Sequence, residues 1–159
     1  MDIEPYRPDQ REDVLALSLR AWRPVFAEMR AAVPAFVYDS FYPRGWEERQ
    51  RSDLASLLDE EPNVVVAVDQ GVVIGWLCLR FHPEDRMGEI HVLAVDPAHQ
   101  RRGVATALMN HAFERGREAG MAMVLVETGG DPGHAGSRAT YESAGFVRWP
   151  VARYFKNLD

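Results

Sequence analysis

The apolar positions of this chain recur with two periods, one helical and one alternating, and the changes between them predict the order of elements. Over residues 14–22 the apolar side chains follow a helical period after a cap at Asp9, and Pro24 ends or restarts that helix. A second helical piece is expected after Pro24 and a third over residues 47–60. The aromatic-rich residues 35–46 between them are expected to form an ordered loop.

Runs rich in β-branched and aromatic residues predict the strands, and a Gln70-Gly71 turn joins two of them into a hairpin. The first run holds Pro5, which lacks a backbone N–H and therefore fits only an edge strand. The expected strands are DIEPY (2–6), NVVVAVD (63–69), VVIGWLCLRF (72–81), EIHVLAV (89–95), MAMVLVET (121–128), FVRW (146–149) and VARYFK (151–156).

Two more helices are expected between the later strands, over residues 106–119 and 137–144, and glycines at 120 and 145 end them. The glycine- and proline-rich residues 129–134 form the loop before the second one. This order predicts an α/β (α+β) fold with a mixed, mostly antiparallel central sheet of about six to seven strands and helices on both faces.

Composition narrows the class of protein. With 159 residues, of which 47% are hydrophobic and 26% charged, the chain is expected to fold as one domain over residues 1–159. The net charge of -6 favours neither nucleic acid nor anionic lipid as a partner. No apolar run approaches the roughly 18 residues of a membrane helix, and no export signal precedes the first strand, so a cytoplasmic location is expected. Cys78 is the only cysteine, which excludes an internal disulfide and favours a buried side chain over a nucleophile.

The segment HVLAVDPAHQRRGVATAL, residues 91–108, passes from a buried strand into a helix that carries a glycine at its start. The first N–H groups of a helix lack internal partners and carry about half a positive charge, so they bind phosphate. Gly103 would let a diphosphate approach the backbone, Ala105 keeps the next position small, and Thr106 adds a hydroxyl group. Arg101 and Arg102 add mobile positive charge. The alternative is that Gly103 only permits a tight turn and that both arginines are solvated.

Residues 100–105, QRRGVA, resemble the [R/Q]-x-x-G-x-[G/A] signature of the GNAT family of N-acetyltransferases, whose loop cradles the pyrophosphate of acetyl-CoA. Downstream, YESAGF (residues 141–146) resembles the Y-E-x-x-G-F element of the same family. Together with the order of elements, the resemblance covers essentially the whole chain. This chain differs from the family pattern at His134 and Ser137, where relatives often carry asparagine and alanine.

The resemblance implies a central strand that a bulge splays from its neighbour, with acetyl-CoA as cosubstrate in the gap and no metal. The pantetheine arm would pair with this strand through the backbone of Leu93 and Val95, and the Leu93 N–H would polarise the thioester carbonyl. The residues expected to bind the cosubstrate are Leu93, Ala94, Val95, Arg101, Arg102, Gly103, Val104, Ala105, Thr106 and His134.

Acetyl transfer to an amine needs a base, because a free alkylammonium has a pKa of roughly 10. Glu89 is the first candidate: alternation along the strand places Glu89, His91, Leu93 and Val95 on one face, and its position resembles that of the base in the histone-acetylating branch of the family. The alternative is a solvated residue at the strand entry. His91 and Glu127 are the other candidates for the base.

The family resemblance gives Tyr141 the role of protonating the departing CoA thiolate, in a direct transfer without an acyl-enzyme. The family builds its acceptor site from the first two helices, their connection and the loop between the last strands. Aromatic walls with carboxylates there suit a cationic small amine, although the same rings could simply fill the core. The residues concerned are Trp22, Phe26, Glu28, Tyr38, Asp39, Phe41, Tyr42, Trp46 and Trp149.

Three functions follow from this reading. The first is an acetyl-CoA-dependent N-acetyltransferase that acts on a primary amine of a small cationic molecule. The second is the same chemistry on a protein amino terminus or lysine, and the third is a non-catalytic acyl-CoA-binding module. Family analogy favours a homodimer over a monomer.

Overall fold

A computed structural model describes every residue of the chain, Met1–Asp159, and contains five strands and five α-helices. Its elements are β1 (Asp2–Pro5), α1 (Arg11–Ala32), α2 (Ala35–Phe41), α3 (Trp46–Glu60), β2 (Val64–Asp69), β3 (Val72–His82), β4 (Met87–Val95), α4 (Val104–Glu118), β5 (Met123–Val126) and α5 (Ala135–Ser143). None of the helices has the length and hydrophobicity that a membrane span requires.

The strands form one mixed sheet in the order β1-β2-β3-β4-β5, in which β1 to β4 are antiparallel neighbours and β5 runs parallel to β4. The mixed, mostly antiparallel sheet is confirmed, but it has five strands and not the expected six to seven. FVRW and VARYFK form no strand. Val147 is 94% and Trp149 83% exposed, so no neighbouring strand or helix covers the alternating face that these segments offer.

Two expectations about the early helices were wrong. Pro24 does not interrupt α1, which continues through it as one helix of 22 residues. The expected loop over residues 35–46 instead begins with α2, which starts after Pro34 and buries Val37 and Tyr38. Proline fixes its own φ near the helical value and is tolerated where a helix starts, so Pro34 favours this start.

The sheet separates two hydrophobic cores, which confirms helices on both faces. On one face, α1 and α3 pack over β2 and β3 around Leu17, Leu57 and Trp76. On the other, α4 packs around Leu77 and Leu108, with Tyr141 of α5 at the margin.

Gly75 of β3 sets how close α4 lies to the sheet. A Cβ at this position would lie 3.0 Å from the Ala94 carbonyl oxygen and 3.0 Å from Val104 Cγ1. The first residue of α4 can therefore rest directly on the sheet because Gly75 has no side chain. The start of α4 is thus held beside the end of β4.

The indole of Trp76 is fully buried and its one donor is satisfied by α1. Trp76 Nε1 donates to Ser18 Oγ at 2.8 Å, and Ser18 Oγ donates to the Val14 carbonyl oxygen at 2.6 Å. Both side chains are 0% exposed. The pair fixes α1 on the sheet, because a buried donor without a partner is costly.

We expect Ser18→Ala to lower the free energy of unfolding by about 1–3 kcal/mol, because the substitution leaves Trp76 Nε1 buried without an acceptor. Urea unfolding followed by tryptophan fluorescence measures this loss. Ser52→Ala, at an exposed position of α3, is the control and should change stability by less than about 0.5 kcal/mol. Equal stabilities of the two variants would contradict the role given to the Trp76–Ser18 contact.

Candidate active site

A β-bulge in β4 lies at the centre of the candidate site. Going along the β3–β4 pair, Val92 lies opposite Cys78 and Ile90 lies opposite Leu79. His91 is therefore an extra residue that no residue of β3 opposes. Such a bulge bends the strand and breaks its alternation.

The bulge corrects the expectation that Glu89, His91, Leu93 and Val95 share one face. Leu93 and Val95 pack into the α4 core, whereas Val92 packs into the core under α1 and α3. Glu89 contacts His91 on the open part of the sheet. The extra residue interrupts the in-and-out alternation of side chains. Odd-numbered residues before the bulge and odd-numbered residues after it therefore lie on opposite faces of the sheet.

Beyond the bulge, β4 has a free edge. β5 pairs with β4 only from Met87↔Met123 to Ile90↔Val126 and then ends, while β4 continues to Val95. The Asp96 N–H donates to the Ile74 carbonyl oxygen at 2.9 Å. Because antiparallel pairs alternate, Leu93 and Val95 point their backbone groups away from β3 and into the gap left by β5. The expected splay of the central strand is confirmed, and Ala94 faces β3 instead.

The turn after β4 leads from Asp96 to the start of α4. Asp96 Oδ1 accepts a hydrogen bond from the Ala98 N–H at 2.9 Å, and Asp96 Oδ2 accepts one from Arg20 Nε of α1 at 3.2 Å. Gln100 Nε2 donates to the Val95 carbonyl oxygen at 3.3 Å, which lies on the free edge. These contacts order the loop that precedes Gly103.

The start of α4 is open to solvent and has no side-chain cap. Gly103 is its N-cap residue at φ +81°, a left-handed conformation that favours glycine, and a Cβ there would meet no atom within 4 Å. Arg101 and Arg102 are exposed and form no salt bridge, and Thr106 is exposed in the first turn of the helix. Val104 is 3% exposed, so it offers only its backbone to a ligand. The unpaired N–H groups and two exposed arginines are thus adjacent in the chain at the open end of α4, where an anion could bind.

The carboxylate of Glu89 lies between two imidazoles. Glu89 Oε1 is 2.7 Å from His82 Nε2, and Glu89 Oε2 is 3.2 Å from His91 Nδ1. Burial raises the pKa of Glu89, but the hydrogen bonds with His82 and His91 lower it by more, so it lies below the usual value. Arg80 also reaches His91 Nδ1 at 3.2 Å and is held by Glu61 at 2.7 Å.

Sequence reasoning missed His82. Arg80 is the residue opposite Glu89 across the two strands, and His82 lies diagonally from Glu89 on the same face. Only the register of β3 against β4 brings His82 to Glu89, and local sequence carries no signal for that register.

Tyr141 and His134 both belong to the α5 region. Tyr141 packs edge-on against Phe146 with 5.8 Å between ring centroids, and burial raises the pKa of its hydroxyl. His134 precedes α5, and its Nδ1 lies 2.6 Å from Asp131 Oδ1. Arg138 Nη1 donates to the Asp131 carbonyl oxygen at 2.7 Å and fixes this loop. Glu127 lies beyond the end of β5, exposed and without a hydrogen bond.

The aromatic residues expected at the acceptor site mostly pack on one another. Phe26 stacks on Trp46 with 4.5 Å between centroids and meets the edge of Tyr42 at 5.3 Å. Arg49 lies over the Tyr42 ring at 5.7 Å, and Arg30 lies over Tyr38 at 5.3 Å. The chain's own arginines therefore occupy the ring faces that a cationic ligand would need. Two of the aromatic residues expected at the acceptor site lie outside this cluster of rings. Trp149 is exposed, and Trp22 lines a separate cavity.

That cavity is a cleft of about 400 Å³ between α1, α3 and the β3–β4 pair. It reaches His91 at the bulge. Its charged lining contains more carboxylates than cations. The principal lining residues are Trp22, Asp53, Glu60, Glu61, Arg80 and His91.

Cys78 is buried in β3 and is 0% exposed. Burial raises the pKa of its thiol to about 12. A thiol that stays protonated and out of contact with solvent does not serve as a nucleophile.

Comparison with known proteins gives a family match and several relatives. The model of the acetyltransferase (GNAT) family matches residues 22–146. A mycothiol acetyltransferase from Sanguibacter keddieii is 33% identical over 145 residues, which cover 85% of this chain and 45% of that protein. A mycothiol acetyltransferase from Beutenbergia cavernae is 41% identical over 70 residues, 44% of this chain and 22% of that protein. The chain spans less than half the length of these curated relatives.

Solved structures share the fold at low identity. The aminoglycoside antibiotic 6'-N-acetyltransferase of Acinetobacter haemolyticus superposes with a TM-score of 0.67 at 22% identity, covering 100% of both chains. The ribosomal-protein-S18-alanine N-acetyltransferase of Escherichia coli gives a TM-score of 0.69 at 19% identity, covering 99% of this chain and 84% of that one. An aminoglycoside N-acetyltransferase in complex with CoA gives 0.65 at 16% identity, covering 99% and 95%.

The Arg20–Asp96 contact leads to a prediction about acid stability. Burial raises the pKa of Asp96, but Arg20 and the Ala98 N–H lower it by more, so it lies below the ordinary value of 3.8. The carboxylate therefore stabilises the fold above the pKa of an unfolded aspartate, and this contribution is lost as the pH falls through the lower folded pKa. We expect the unfolding free energy of Asp96→Asn to fall less steeply than that of the wild type between about pH 5 and pH 2.

Urea unfolding at a series of pH values measures these slopes. Asp39→Asn, at an exposed position of α2 without a salt bridge, is the control and should follow the wild-type slope. If Asp96→Asn also follows it, the ion pair with Arg20 does not shift the titration of Asp96.

Proposed function

This chain belongs to the acetyltransferase (GNAT) family, and we propose that it transfers the acetyl group of acetyl-CoA to a primary amine of a small cationic molecule. The observation that carries the proposal is the continuity of two open features. The free edge of β4 leads directly into the uncapped start of α4, so one extended ligand could pair with the strand and place a diphosphate on the helix.

We assign the diphosphate of the cosubstrate to the start of α4. Gly103 leaves the backbone open to it, and the N–H groups of Val104, Ala105 and Thr106 would face it. Arg101 and Arg102 have no partner in the chain and would add mobile positive charge at the same end. No other place on β4 offers free backbone next to an uncapped helix.

The pantetheine arm would follow the free edge of β4 back from α4. It would displace the Gln100 amide from the Val95 carbonyl oxygen and pair with the backbone of Leu93 and Val95. Ala94 lies between these two residues, and its backbone groups face β3. The Leu93 N–H would then point at the thioester oxygen. A donor so placed stabilises the oxyanion of the addition step by about 3 kcal/mol. His134, held by Asp131 in the turn before α5, is the remaining residue that we assign to the cosubstrate.

The chemistry is a direct attack in a ternary complex. The amine loses a proton to Glu89, directly or through His91, and its nitrogen forms a bond to the thioester carbon. The C–S bond then breaks, and Tyr141 donates its hydroxyl proton to the departing thiolate. Overall the amine nitrogen loses two protons, one of which ends on the thiol and one in solvent. Glu127 is the weaker candidate for the base because nothing orients it.

The acceptor class follows from the charges around His91. The cleft brings Asp53 and Glu60 to the approach to His91, and Trp22 offers a ring at its wall. Carboxylates beside an aromatic face favour a cationic molecule. The small-molecule acceptors named for the mycothiol and aminoglycoside acetyltransferases are consistent with this class. A peptide amino terminus is the second candidate, since the S18-alanine enzyme has the same fold.

We expect CoA to raise the melting temperature of the wild type, because a ligand that binds only the folded state stabilises it by about 2.7 kcal/mol at 100 times its Kd. Gly103→Glu should abolish most of this rise, since it adds bulk and negative charge where the diphosphate binds. Differential scanning fluorimetry with millimolar CoA measures the shift. Glu89→Gln should keep the wild-type shift.

The matched control is Gly71→Glu in the β2–β3 turn. Gly71 also has a positive φ (+80°) and open space around it, so the same substitution brings the same backbone strain and charge away from α4. This variant should melt earlier but retain the CoA-dependent rise. Loss of the rise in both glycine variants would show that strain and not the diphosphate site explains the result.

We expect one or more small cationic amines to release thiol from acetyl-CoA in the presence of the wild type. Glu89→Gln and Tyr141→Phe should each lower kcat by about 10²- to 10⁴-fold, because each removes a proton-transfer group. A panel of polyamines, amino sugars and an alanine-starting peptide separates the two acceptor classes. Tyr154→Phe, at a side chain that is 90% exposed, is the control for the tyrosine variant. A wild type that binds CoA but acetylates no member of the panel would favour a non-catalytic binding module.

A further inference from the structure

An apolar groove lies along β5 at one end of the sheet. β5 pairs with β4 alone, so the backbone groups on its outer edge, away from β4, have no strand partner. The groove has a volume of about 390 Å³ and lies between β5, the C-terminal half of α4 and the residues that follow α5. We call it the β5 groove, and its principal lining residues are Phe113, Arg117, Met121, Met123, Phe146 and Val147.

The segment 147–159 leaves this groove without covering it. Val147 lines the groove, but the chain beyond it belongs to no strand or helix. Large apolar side chains of the segment are open to solvent, and those that are at least 80% exposed are Val147, Trp149, Val151, Tyr154 and Leu158. Monomeric proteins seldom expose so many large apolar side chains close together, so this exposure indicates a surface that another element covers.

The same segment has the pattern of a single added strand. Val147, Trp149 and Val151 alternate with Arg148, Pro150 and Ala152, so an extended backbone would place the large apolar side chains on one face. Pro150 lacks a backbone N–H and therefore fits a strand that pairs on one side only. One chain thus contains both a strand-like segment without a partner and a sheet edge without a strand.

The chain's own contacts direct the far end of the segment away from the β5 groove. Phe155 packs edge-on against Phe41 of α2, with 5.9 Å between the ring centroids. Tyr42, next to Phe41, meets the ring of Phe26 in α1. Because α1 and α4 cover opposite faces of the sheet and α4 lines the groove, the segment crosses toward the α1 side and leaves the groove open.

The charge of the segment is opposite to that of the rest of the chain. It carries Arg148, Arg153 and Lys156 against one carboxylate, that of Asp159, whereas the whole chain has a net charge of -6. Glu127, the residue that follows β5, is exposed and forms no salt bridge. A basic segment would therefore be attracted to the acidic body of another copy, with a free carboxylate at the end of β5.

We propose that the segment 147–159 of one copy adds as a strand to the outer edge of β5 in a second copy, and that the reciprocal contact completes a twofold dimer. Trp149 and Tyr154 would together bury about 300–500 Å² in each contact, since an aromatic side chain buries about 150–250 Å². Two such contacts give about 600–1,000 Å² before the other apolar side chains and the groove are counted, which reaches the ~1,000 Å² expected of a specific interface.

The added strand would support one side of the candidate active site. β5 is paired with β4 only from Met87↔Met123 to Ile90↔Val126, and beyond this pairing the gap opens. A strand of the second copy on the outer edge would hold β5 from its other side, so the gap would keep its width when no ligand fills it. The dimer itself does not depend on the proposed function.

Sedimentation velocity at tens of micromolar protein tests the dimer. We expect the wild type to sediment with twice the chain mass of 18.0 kDa. Trp149→Glu in the segment and Met123→Glu on β5, where the side chain is 53% exposed, should each give a monomer because they place a charge in the apolar contact. Val72→Glu, at a 58% exposed position of β3, is the matched control and should stay dimeric.

Circular dichroism checks that all three variants keep the wild-type fold. A monomeric wild type would overturn the proposal. So would a dimer that both Trp149→Glu and Met123→Glu leave intact. If only one of these two variants dissociates the dimer, the segment and the groove do not meet, and the proposal fails as well.

Cross-linking decides whether the segment covers the second copy or its own β5. Cys78 is buried, so cysteines introduced by Ala122→Cys in the groove and Ala152→Cys in the segment are the only accessible thiols of the double variant. A flexible bismaleimide should join two chains, which doubles the mass on a denaturing gel. A link within one chain would show that the segment folds back on its own β5 and would overturn the proposal. Neither measurement needs acetyl-CoA or turnover, so failure of the dimer leaves the proposed function untouched.

Discussion

The bulge at His91 is the constraint on which the site depends. One residue that β3 does not oppose bends β4, so β5 can follow it only as far as Ile90. The remaining residues of β4 keep their pairing with β3 but lose a neighbour on the other side, and their outward backbone groups become a free edge inside the protein. The bulge at His91, which lines the cleft, thus also begins the free edge of β4.

Two further contacts turn this free edge into a defined site. Gly75 lets the start of α4 rest on the sheet beside the end of β4, and Asp96 ties the intervening turn to Arg20 of α1. The helix that offers unpaired N–H groups and the helix that lines the cleft at His91 are thereby held to the same turn. A cosubstrate bound at α4 and an acceptor beside α1 would meet a framework that is already ordered, which lowers the entropic cost of the ternary complex.

Local pattern predicted much of this arrangement. The central strands, the helix after QRRGVA and the glycine at its start follow from apolar period and turn chemistry, which act over a few residues. The prediction that Glu89 and Leu93 share one face of β4 was wrong because the bulge between them depends on pairing with another strand, which local sequence does not show. His82 was missed for the same reason. FVRW and VARYFK alternate as strands do, but a strand also needs a partner, and the segment after Phe146 has none.

The buried position of Cys78 has a practical consequence. Disulfide reagents that report free sulfhydryl groups need contact with a thiolate, and this side chain offers neither exposure nor an ionised sulfur. Coenzyme A formed during turnover would then be the one reactive sulfhydryl in the cuvette. Colorimetric detection would proceed without background from the protein and without inactivating it by mixed-disulfide formation.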